Sequence, residues 1–305
     1  MTLRLDDVSA SQVSAAIADE RRRAGASASG SVLTLVIVTE TEGLRDAMLA
    51  AQETASEHPM RILAVVGSMT RGASRRTPAR LDAEVSAGGD GGPGESAILY
   101  MSGALSHNAD SVVVPLLLPD TPVVTWWPTA APRNVGGDPL GLLATRRITD
   151  SAAVSQPMRA LSGRLDSYLP GDTDLAWTRL TPWRSCLAAA LDQPLDRVLS
   201  ASVEVEPSNP SGPLLAAWLR QRLKTPVMLR RTKGPGVTGV TITTKHTELV
   251  LHRPDGRKAR LTRTSQPART VALPRRKVGE LLAEELRRLD PDPVYAEALR
   301  GVAEG

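Results

Sequence analysis

The sequence predicts an α/β protein made of two α/β lobes, and three observations lead to this prediction. First, the apolar runs Val32–Val38 and Arg61–Val66 flank a helical pattern at Glu42–Glu57, and a strand–helix–strand order is typical of a parallel sheet with helical crossovers. Second, alternating β-segments joined by turns such as Pro254–Gly256 follow toward the carboxyl end. Third, 305 residues suit about two domains of roughly 150 residues each. We expect a largely parallel N-terminal sheet with helical crossovers and a mixed C-terminal sheet with flanking helices.

The N-terminal lobe is expected over residues 1–150. Apolar residues at helical spacing, followed by three arginines, predict a first helix over residues 7–23, because cations are favoured at the carboxyl end of a helix. A basic loop is expected at Arg71–Arg80 and a glycine-rich turn at Gly88–Gly94. The remaining elements are strands at Ala79–Ser86, Ala97–Met101 and Pro122–Trp127, a partly helical stretch at Leu105–Leu118, and a short helix at Leu140–Thr145.

Residues 151–195 are expected to form a helical connector, and residues 196–305 the C-terminal lobe. The connector has a helix over 155–169, a loop over 170–180, and a second helix for which Thr181 is the expected cap and Pro182 the first residue. The C-terminal lobe combines strands at Arg197–Val205, Val227–Arg231, Val237–Thr244, Glu248–Arg253, Ala259–Thr264 and Arg269–Leu273 with helices at Pro213–Leu223, at Val278–Leu289 and after Asp292.

The composition indicates a protein of a reducing compartment with a mildly basic surface. Lys and Arg number 37 and Asp and Glu 33, a net charge of +4, and the basic residues are spread along the chain. The single cysteine, Cys186, cannot form an internal disulfide. The longest apolar runs, such as Val112–Leu118, are far shorter than the roughly 20 residues that span a bilayer, and Met1–Ala24 has no apolar signal core. We therefore expect a cytoplasmic protein.

The motifs that carry enzymatic chemistry are missing from the sequence. It contains no glycine-rich loop ending in Gly-Lys-Ser/Thr, no dinucleotide fingerprint after the early strands, and no Gly-x-Ser-x-Gly elbow. The four histidines are scattered, and the Asp172–Asp174 pair, which could hold Mg²⁺, is more typical of a turn or a cap. Cys186 lies on the apolar side of a predicted helix, which favours a core residue over a reactive thiolate. The sequence predicts no catalytic residue, no metal site and no cofactor, and a protein that is not an enzyme.

Four of the five tryptophans lie in two short segments. Trp126 and Trp127 end a predicted strand before Pro128, and adjacent strand residues point to opposite faces of a sheet. The carboxyl ends of the strands in an open α/β sheet are where ligands and functional loops gather. We expect one of the two side chains in the core and the other in a cleft or interface.

The second segment pairs tryptophan with arginine, as Trp177 beside Arg179 and Trp183 beside Arg184. Tryptophan and arginine are enriched in the hot spots of protein interfaces. Arg184, expected at about the third position of a helix, opposes the helix dipole, which an acidic partner or ligand would explain. The alternative is that these tryptophans are large core residues stacked on arginine for packing.

These segments resemble the glucose-6-phosphate dehydrogenase assembly protein family, OpcA, in its actinobacterial form. The matching stretches are Pro115–Trp127, Asp174–Arg184 reading DLAWTRLTPWR, Pro213–Leu223 reading PLLAAWLRQRL, and Leu281–Leu299 reading LLAEELRRLDPDPVYAEAL. The likeness covers nearly the whole chain, with the Gly88–Gly94 insert as the exception.

The resemblance implies a non-catalytic assembly factor and allosteric activator that binds glucose-6-phosphate dehydrogenase in the oxidative pentose phosphate pathway. Photosynthetic relatives are linked to thiol-based redox control, but a chain with Cys186 alone has no internal dithiol. The family's signature residues map onto seven positions, which we expect to bind the partner: Trp126, Trp127, Asp174, Trp177, Arg179, Trp183 and Arg184.

Two other classes of function remain open at this point. A small-molecule sensor or enzyme would hold a sugar phosphate through Arg179 and Arg184 at the tryptophan edge, and ligand-dependent thermal stabilisation would reveal it. A nucleic-acid-binding protein would use the dispersed arginines and bind DNA with strong salt dependence. The scattered charge and the lack of a recognised motif argue against nucleic acid.

Overall fold

The computed structural model of the protein describes residues 2–25, 30–67, 78–87, 94–192 and 196–304. The chain forms two compact units: unit 1 comprises Met1–Asp150 and Val278–Pro291, and unit 2 comprises Ser151–Lys277 and Asp292–Gly305. Residues 151–195, expected as a connector, belong to unit 2, and the helix expected to close the C-terminal lobe belongs to unit 1. The predicted loops at Arg71–Arg80 and Gly88–Gly94 lie almost wholly outside the described residues.

Unit 1 is an α/β unit, as predicted. Its strands are β1 (Thr2–Leu5), β2 (Leu33–Thr39), β3 (Met60–Gly67), β4 (Arg80–Ser86), β5 (Ser96–Ser102), β6 (Val123–Trp127) and β7 (Arg146–Thr149). Its helices, numbered in chain order, are α1 (Ala10–Arg23), α2 (Thr41–Ala55), α3 (Ala109–Val113), α4 (Pro139–Leu142) and α9 (Val278–Leu286), with 3₁₀ turns at Gly103–His107 and Val114–Leu116.

The strands of unit 1 follow the order β1-β4-β5-β3-β2-β6-β7. Strands β5, β3, β2, β6 and β7 pair in parallel, whereas β4 is antiparallel to both β1 and β5. The centre of the sheet is buried on both faces, because every residue of Leu33–Thr39 and of Val123–Trp127 is buried. Continuous apolar runs of this kind are what a parallel sheet covered by helices requires.

Helices cover both faces of this sheet. Val13 and Ile17 of α1 join a core cluster with Val36, Leu63 and Leu99 from one face. On the other face α2 packs against β2 and β3, and α9 packs against α2. The contact between the two helices includes a hydrogen bond from the Thr54 hydroxyl to the Gly279 carbonyl oxygen (3.0 Å).

A buried ion pair holds the end of α9 in unit 1. Arg146 of β7 donates from Nε to Glu285 Oε2 (3.0 Å), and its Nη2 also bonds that oxygen. The Arg146 Nη1 donates to the carbonyl oxygen of Asp290 (2.8 Å). The two side chains are only 5% and 7% exposed, so removal of either partner would leave a buried charge.

Unit 2 contains a mixed sheet with flanking helices, as predicted. Its helices are α5 (Pro157–Ser167), α6 (Leu175–Thr178), α7 (Thr181–Leu191), α8 (Ser211–Leu223) and α10 (Pro293–Val302). Its strands are β8 (Asp172–Asp174), β9 (Val198–Val205), β10 (Val227–Arg231), β11 (Val237–Thr244), β12 (Glu248–His252), β13 (Lys258–Arg263) and β14 (Gln266–Ala272).

A six-stranded sheet forms the base of unit 2, in the order β10-β9-β11-β12-β13-β14. Strands β9 and β10 are parallel and the other neighbours are antiparallel. Along β12 the buried residues Leu249 and Leu251 alternate with more exposed ones, so the sheet buries one face. That face packs in one core cluster with α8, α10 and the tryptophans Trp177 and Trp183.

Two predictions of local structure in unit 2 were wrong. Residues 170–180, expected as a loop, contain β8 and α6, because buried Asp174 caps a helical turn there. Thr181 is the first residue of α7 and Pro182 the second, with Leu180 as the cap residue. The Thr181 hydroxyl, inside the first turn of α7, accepts a hydrogen bond from Arg184 Nη2 (2.9 Å).

Candidate functional site

The adjacent tryptophans of β6 both have buried side chains. Trp126 pairs in register with Ile37 of β2 and Ile148 of β7, and Trp127 pairs with Thr149. Both indole side chains are 0% exposed, and Trp127 belongs to the core cluster that also contains Val13 and Ile17. Neither side chain lies in an open cleft, in contrast to the expectation for one of the two.

Asp174 accepts several hydrogen bonds within unit 2. One carboxylate oxygen accepts from the Ala176 N–H (2.9 Å) and so caps α6. The carboxylate also accepts from the backbone N–H and the hydroxyl of Ser151, the latter at 2.6 Å. The Asp174 side chain is 0% exposed, and both of these partners belong to its own unit.

Trp177 is fixed from three sides. Its indole Nε1 donates to Asp292 Oδ2 (2.8 Å), and Asp292 itself caps α10 through the N–H groups of Val294 and Tyr295. The Trp177 ring centre lies 6.0 Å from that of Tyr295. Above the ring lies the guanidinium of Arg184, 3.8 Å from the ring centre. The sequence neighbour Arg179 is therefore not the arginine that stacks on Trp177.

Trp183 also stacks on an arginine that is distant in sequence. The guanidinium of Arg253 lies 4.9 Å from the Trp183 ring centre and donates to the carbonyl oxygens of Leu273 and Val237, each at 2.9 Å. Burial and, to a smaller extent, the nearby Arg275 lower the pKa of Arg253 to about 10. These contacts join α7 to the sheet and leave Trp183 2% exposed.

Arg179 and Arg184 are the members of the predicted set that reach the surface. Both are half-buried, whereas the four tryptophans and Asp174 are at most 2% exposed. Arg184 is the fourth residue of α7, not the third, and its stacking on Trp177 accounts for a cation near the start of a helix. Arg276 joins this surface, since its Nη1 donates to the Thr178 carbonyl oxygen at the end of α6 (3.4 Å).

The structure thus divides the predicted contact set into a framework and a surface. The four tryptophans and Asp174 form the framework, because they are at most 2% exposed. We call Arg179, Arg184 and Arg276 the arginine surface of unit 2. Its third member escaped the sequence prediction because Arg276 lies about ninety positions farther along the chain, and only the fold places it beside α6.

A cleft of about 400 Å³ opens in unit 1 where β2, β3 and β5 end. This is the edge at which open α/β sheets hold their ligands. Glu40, Glu42 and Asp82 line the cleft together with Tyr100 and Gly67, and no Lys or Arg of the described residues does.

The described residues contain no group of three or more His, Cys, Asp or Glu side chains placed to hold a metal ion. Asp172, the other half of the Asp172–Asp174 pair, accepts a hydrogen bond from the Leu169 N–H (2.9 Å).

Burial raises the pKa of the Cys186 thiol, which disfavours the reactive thiolate. Within the described part of the chain, every helix is too short or too polar to cross a bilayer.

Two family models match the chain. The model described as the glucose-6-phosphate dehydrogenase subunit N-terminal domain (OpcA_G6PD_assem) matches residues 51–166, and the one described as the C-terminal domain of that subunit (OpcA_G6PD_C) matches residues 170–299. Together they cover most of the chain and both units. A comparison with curated proteins finds no match.

Solved structures similar to the chain include several oxidoreductases. The 3-ketoreductase KijD10 from Actinomadura kijaniata has a TM-score of 0.47 at 11% identity and covers 89% of this chain and 95% of its own. An oxidoreductase from Sinorhizobium meliloti has a TM-score of 0.49 at 11% identity, with coverage of 90% and 95%. An aldose-aldose oxidoreductase from Caulobacter crescentus has a TM-score of 0.48 at 8% identity, with coverage of 89% and 95%. At these identities and TM-scores the likeness carries no conclusion about activity.

Proposed function

The chain belongs to the OpcA family of glucose-6-phosphate dehydrogenase subunits, and on this premise we propose that it is a non-catalytic assembly factor and allosteric activator of that dehydrogenase. The observation that carries the proposal is the pair of family matches, at residues 51–166 and 170–299, which span both units. We further propose that the protein works in the cytoplasm as part of the oxidative pentose phosphate pathway.

Activation of this kind needs no chemistry from the activator. A protein that binds the active oligomer of an enzyme more tightly than its other states shifts the population toward that oligomer. A tenfold preference corresponds to roughly 1.4 kcal/mol of coupling free energy. By the same linkage, substrates that favour the active oligomer would tighten its complex with this protein.

The use of the conspicuous side chains in packing supports a non-catalytic role. Buried Asp174 accepts hydrogen bonds from Ser151 and Ala176, and Trp177 is held between Asp292 and Arg184. Groups held in this way are suited to a rigid framework, whereas a catalytic acid or base must have access to substrate.

The arginine surface of unit 2 is the proposed point of contact with the dehydrogenase. Arginine on a rigid aromatic support loses little conformational entropy when it binds a carboxylate in a bidentate manner. Trp177 supplies such a support to Arg184. Arg276 is held by its hydrogen bond to the backbone carbonyl at the end of α6. This chemistry predicts an acidic surface on the dehydrogenase as the matching site.

The test is a steady-state assay of the dehydrogenase from the same organism, over a range of glucose 6-phosphate concentrations, with and without this protein. We expect a lower KM or a higher kcat, and a complex that co-migrates in size-exclusion chromatography. An unchanged rate at all concentrations together with no complex would overturn the proposal. A melting-temperature shift with glucose 6-phosphate in the protein alone would then favour the sugar-phosphate sensor.

A further inference from the structure

A pocket of about 270 Å³ opens in unit 2 between α7 and the β12–β13–β14 edge of the sheet. The gap exists because the residues that α7 turns toward it, Cys186, Ala189 and Ala190, have small side chains. Leu249, Leu261 and Val271 form the apolar floor from three neighbouring strands, and the other lining residues are Arg263, Gln266, Pro267 and Arg269.

Arg269 lies on the pocket side of its strand. It pairs in register with Leu261, and the next inward residue of the strand, Val271, pairs with buried Ala259. Position 269 therefore lies in the inward-facing row, beside the apolar residues Leu261 and Val271. An arginine here places a cation beside an apolar pocket.

The two arginines of the pocket differ in what they already bind. Arg263 Nη1 donates to the Ala190 carbonyl oxygen (3.5 Å), in the last turn of α7, where a cation is favoured by the helix dipole. Within the described ranges, the guanidinium of Arg269 has no hydrogen bond or ion pair with a protein group. Its five N–H donors remain available for a ligand at the pocket mouth.

We propose that this pocket binds a small organic acid, whose apolar tail lies among Leu249, Leu261 and Val271 and whose carboxylate pairs with Arg269. Carboxylate and guanidinium match in a bidentate fork, and the apolar floor contributes by burying the tail. The volume is slightly below the usual range of ligand pockets, which limits the tail to a single alkyl chain or one ring. The proposal is independent of the proposed binding of the dehydrogenase.

The single cysteine of the chain supplies a direct test. Cys186 lines the pocket, so labelling of the native, full-length protein with N-ethylmaleimide reports on the pocket alone. The probes are octanoate and 3-phenylpropanoate, with 1-octanol as a control that lacks the carboxylate and acetate as one that lacks the tail. At a probe concentration of about ten times Kd, we expect an ~11-fold slower labelling of Cys186, since the free fraction falls to about one eleventh.

Arg269→Gln tests the role of the guanidinium, and Arg260→Gln is its control. Arg260 is exposed and adjacent to Leu261 in β13, so its side chain points to the opposite face of the sheet. We expect R269Q to lose the protection and R260Q to keep it, with the melting temperature under each probe as a second readout. Equal protection by 1-octanol, equal protection of R269Q, or no protection and no thermal shift with either acid would overturn the proposal.

Discussion

The guanidinium of Arg184 lies 3.8 Å from the ring centre of Trp177, seven residues earlier in the chain. The contact closes the turn between α6 and α7, and it orients the arginine at the surface of unit 2. A cation on the face of an indole contributes about 0.5–2 kcal/mol, depending on how far it is desolvated. One contact therefore stabilises the packing of α6 and α7 and holds the arginine side chain at the surface.

Alanine at Arg179 and Arg184 separates these two roles. If the arginine surface contacts the dehydrogenase, we expect each substitution to weaken the complex by about 2 kcal/mol, or ~30-fold in Kd. Loss of activation at a fixed protein concentration should follow. The measurement is a titration of the variants against the dehydrogenase, with circular dichroism to confirm the fold.

Arg222→Ala is the matched control for these two variants. Arg222 is an exposed arginine of the same unit, paired with Glu297 on the surface, and such pairs contribute little to stability. If an R179A/R184A double variant folds and activates the dehydrogenase as well as R222A does, the arginine surface does not contribute to binding.

Trp177→Phe should loosen α10. The substitution removes the indole donor to Asp292, a hydrogen bond to a charged group that contributes roughly 1.5–3 kcal/mol. Because Asp292 caps α10, we expect faster amide hydrogen exchange in the first turn of that helix. Trp127→Phe is the control, since the Trp127 Nε1 has no hydrogen-bond partner among the described residues. Unchanged exchange in α10 of W177F would contradict the cap as described.

Removal of one partner from the Arg146–Glu285 pair should lower the free energy of unfolding more than removal of one partner from a surface pair. We expect Glu285→Gln to cost about 3–5 kcal/mol, because it leaves the Arg146 charge buried and poorly paired. Glu57→Gln, which breaks the exposed pair with Arg287, should cost far less, because solvent screens a surface pair. Urea unfolding monitored by hydrogen exchange in α9 measures both, and equal losses would contradict the buried role.

Asp138→Asn should raise the melting temperature at neutral pH. Burial, with a smaller contribution from the Asp110 carboxylate, raises the pKa of Asp138 above its ordinary value despite the hydrogen bonds from the Leu140 and Gly141 N–H groups. An acid with a raised folded pKa binds more protons in the folded state, so its contribution to stability falls as the pH rises through that window. Asparagine is an equally good helix cap and carries no charge.

The pH dependence of the D138N variant tests whether the ionised Asp138 lowers the stability of the folded protein. We expect the advantage of D138N over the wild type to be full at pH 7 and to shrink as the pH falls below the raised pKa, where Asp138 becomes protonated in the folded protein. Melting temperatures of both proteins over pH 3–8 check this. An advantage for the wild type at pH 7 would show that the ionised cap is favoured despite its burial.

Most of the fold could be predicted from the sequence, because local patterns determine it. The apolar runs at β2, β3 and β6 and the helical spacing in α8 and α9 each specify a periodicity within a few turns of chain. Where the pattern was weak, the prediction failed. Strand β7, with two adjacent arginines, was missed because Arg146 is buried through its ion pair with Glu285, which lies far away in sequence.

The sequence by itself determined that this is an α/β protein of the OpcA family, and it singled out the tryptophan- and arginine-rich segment. Only the tertiary structure decided which of those side chains reach the surface. Stacking depends on contacts between distant positions, such as Arg253 on Trp183, and burial depends on which elements cover a face. Arg184 follows Trp183 in sequence but stacks on Trp177, and the arginine that stacks on Trp183 is Arg253. The order of Trp and Arg along the chain therefore does not identify the stacked pairs, because the fold decides which side chains meet.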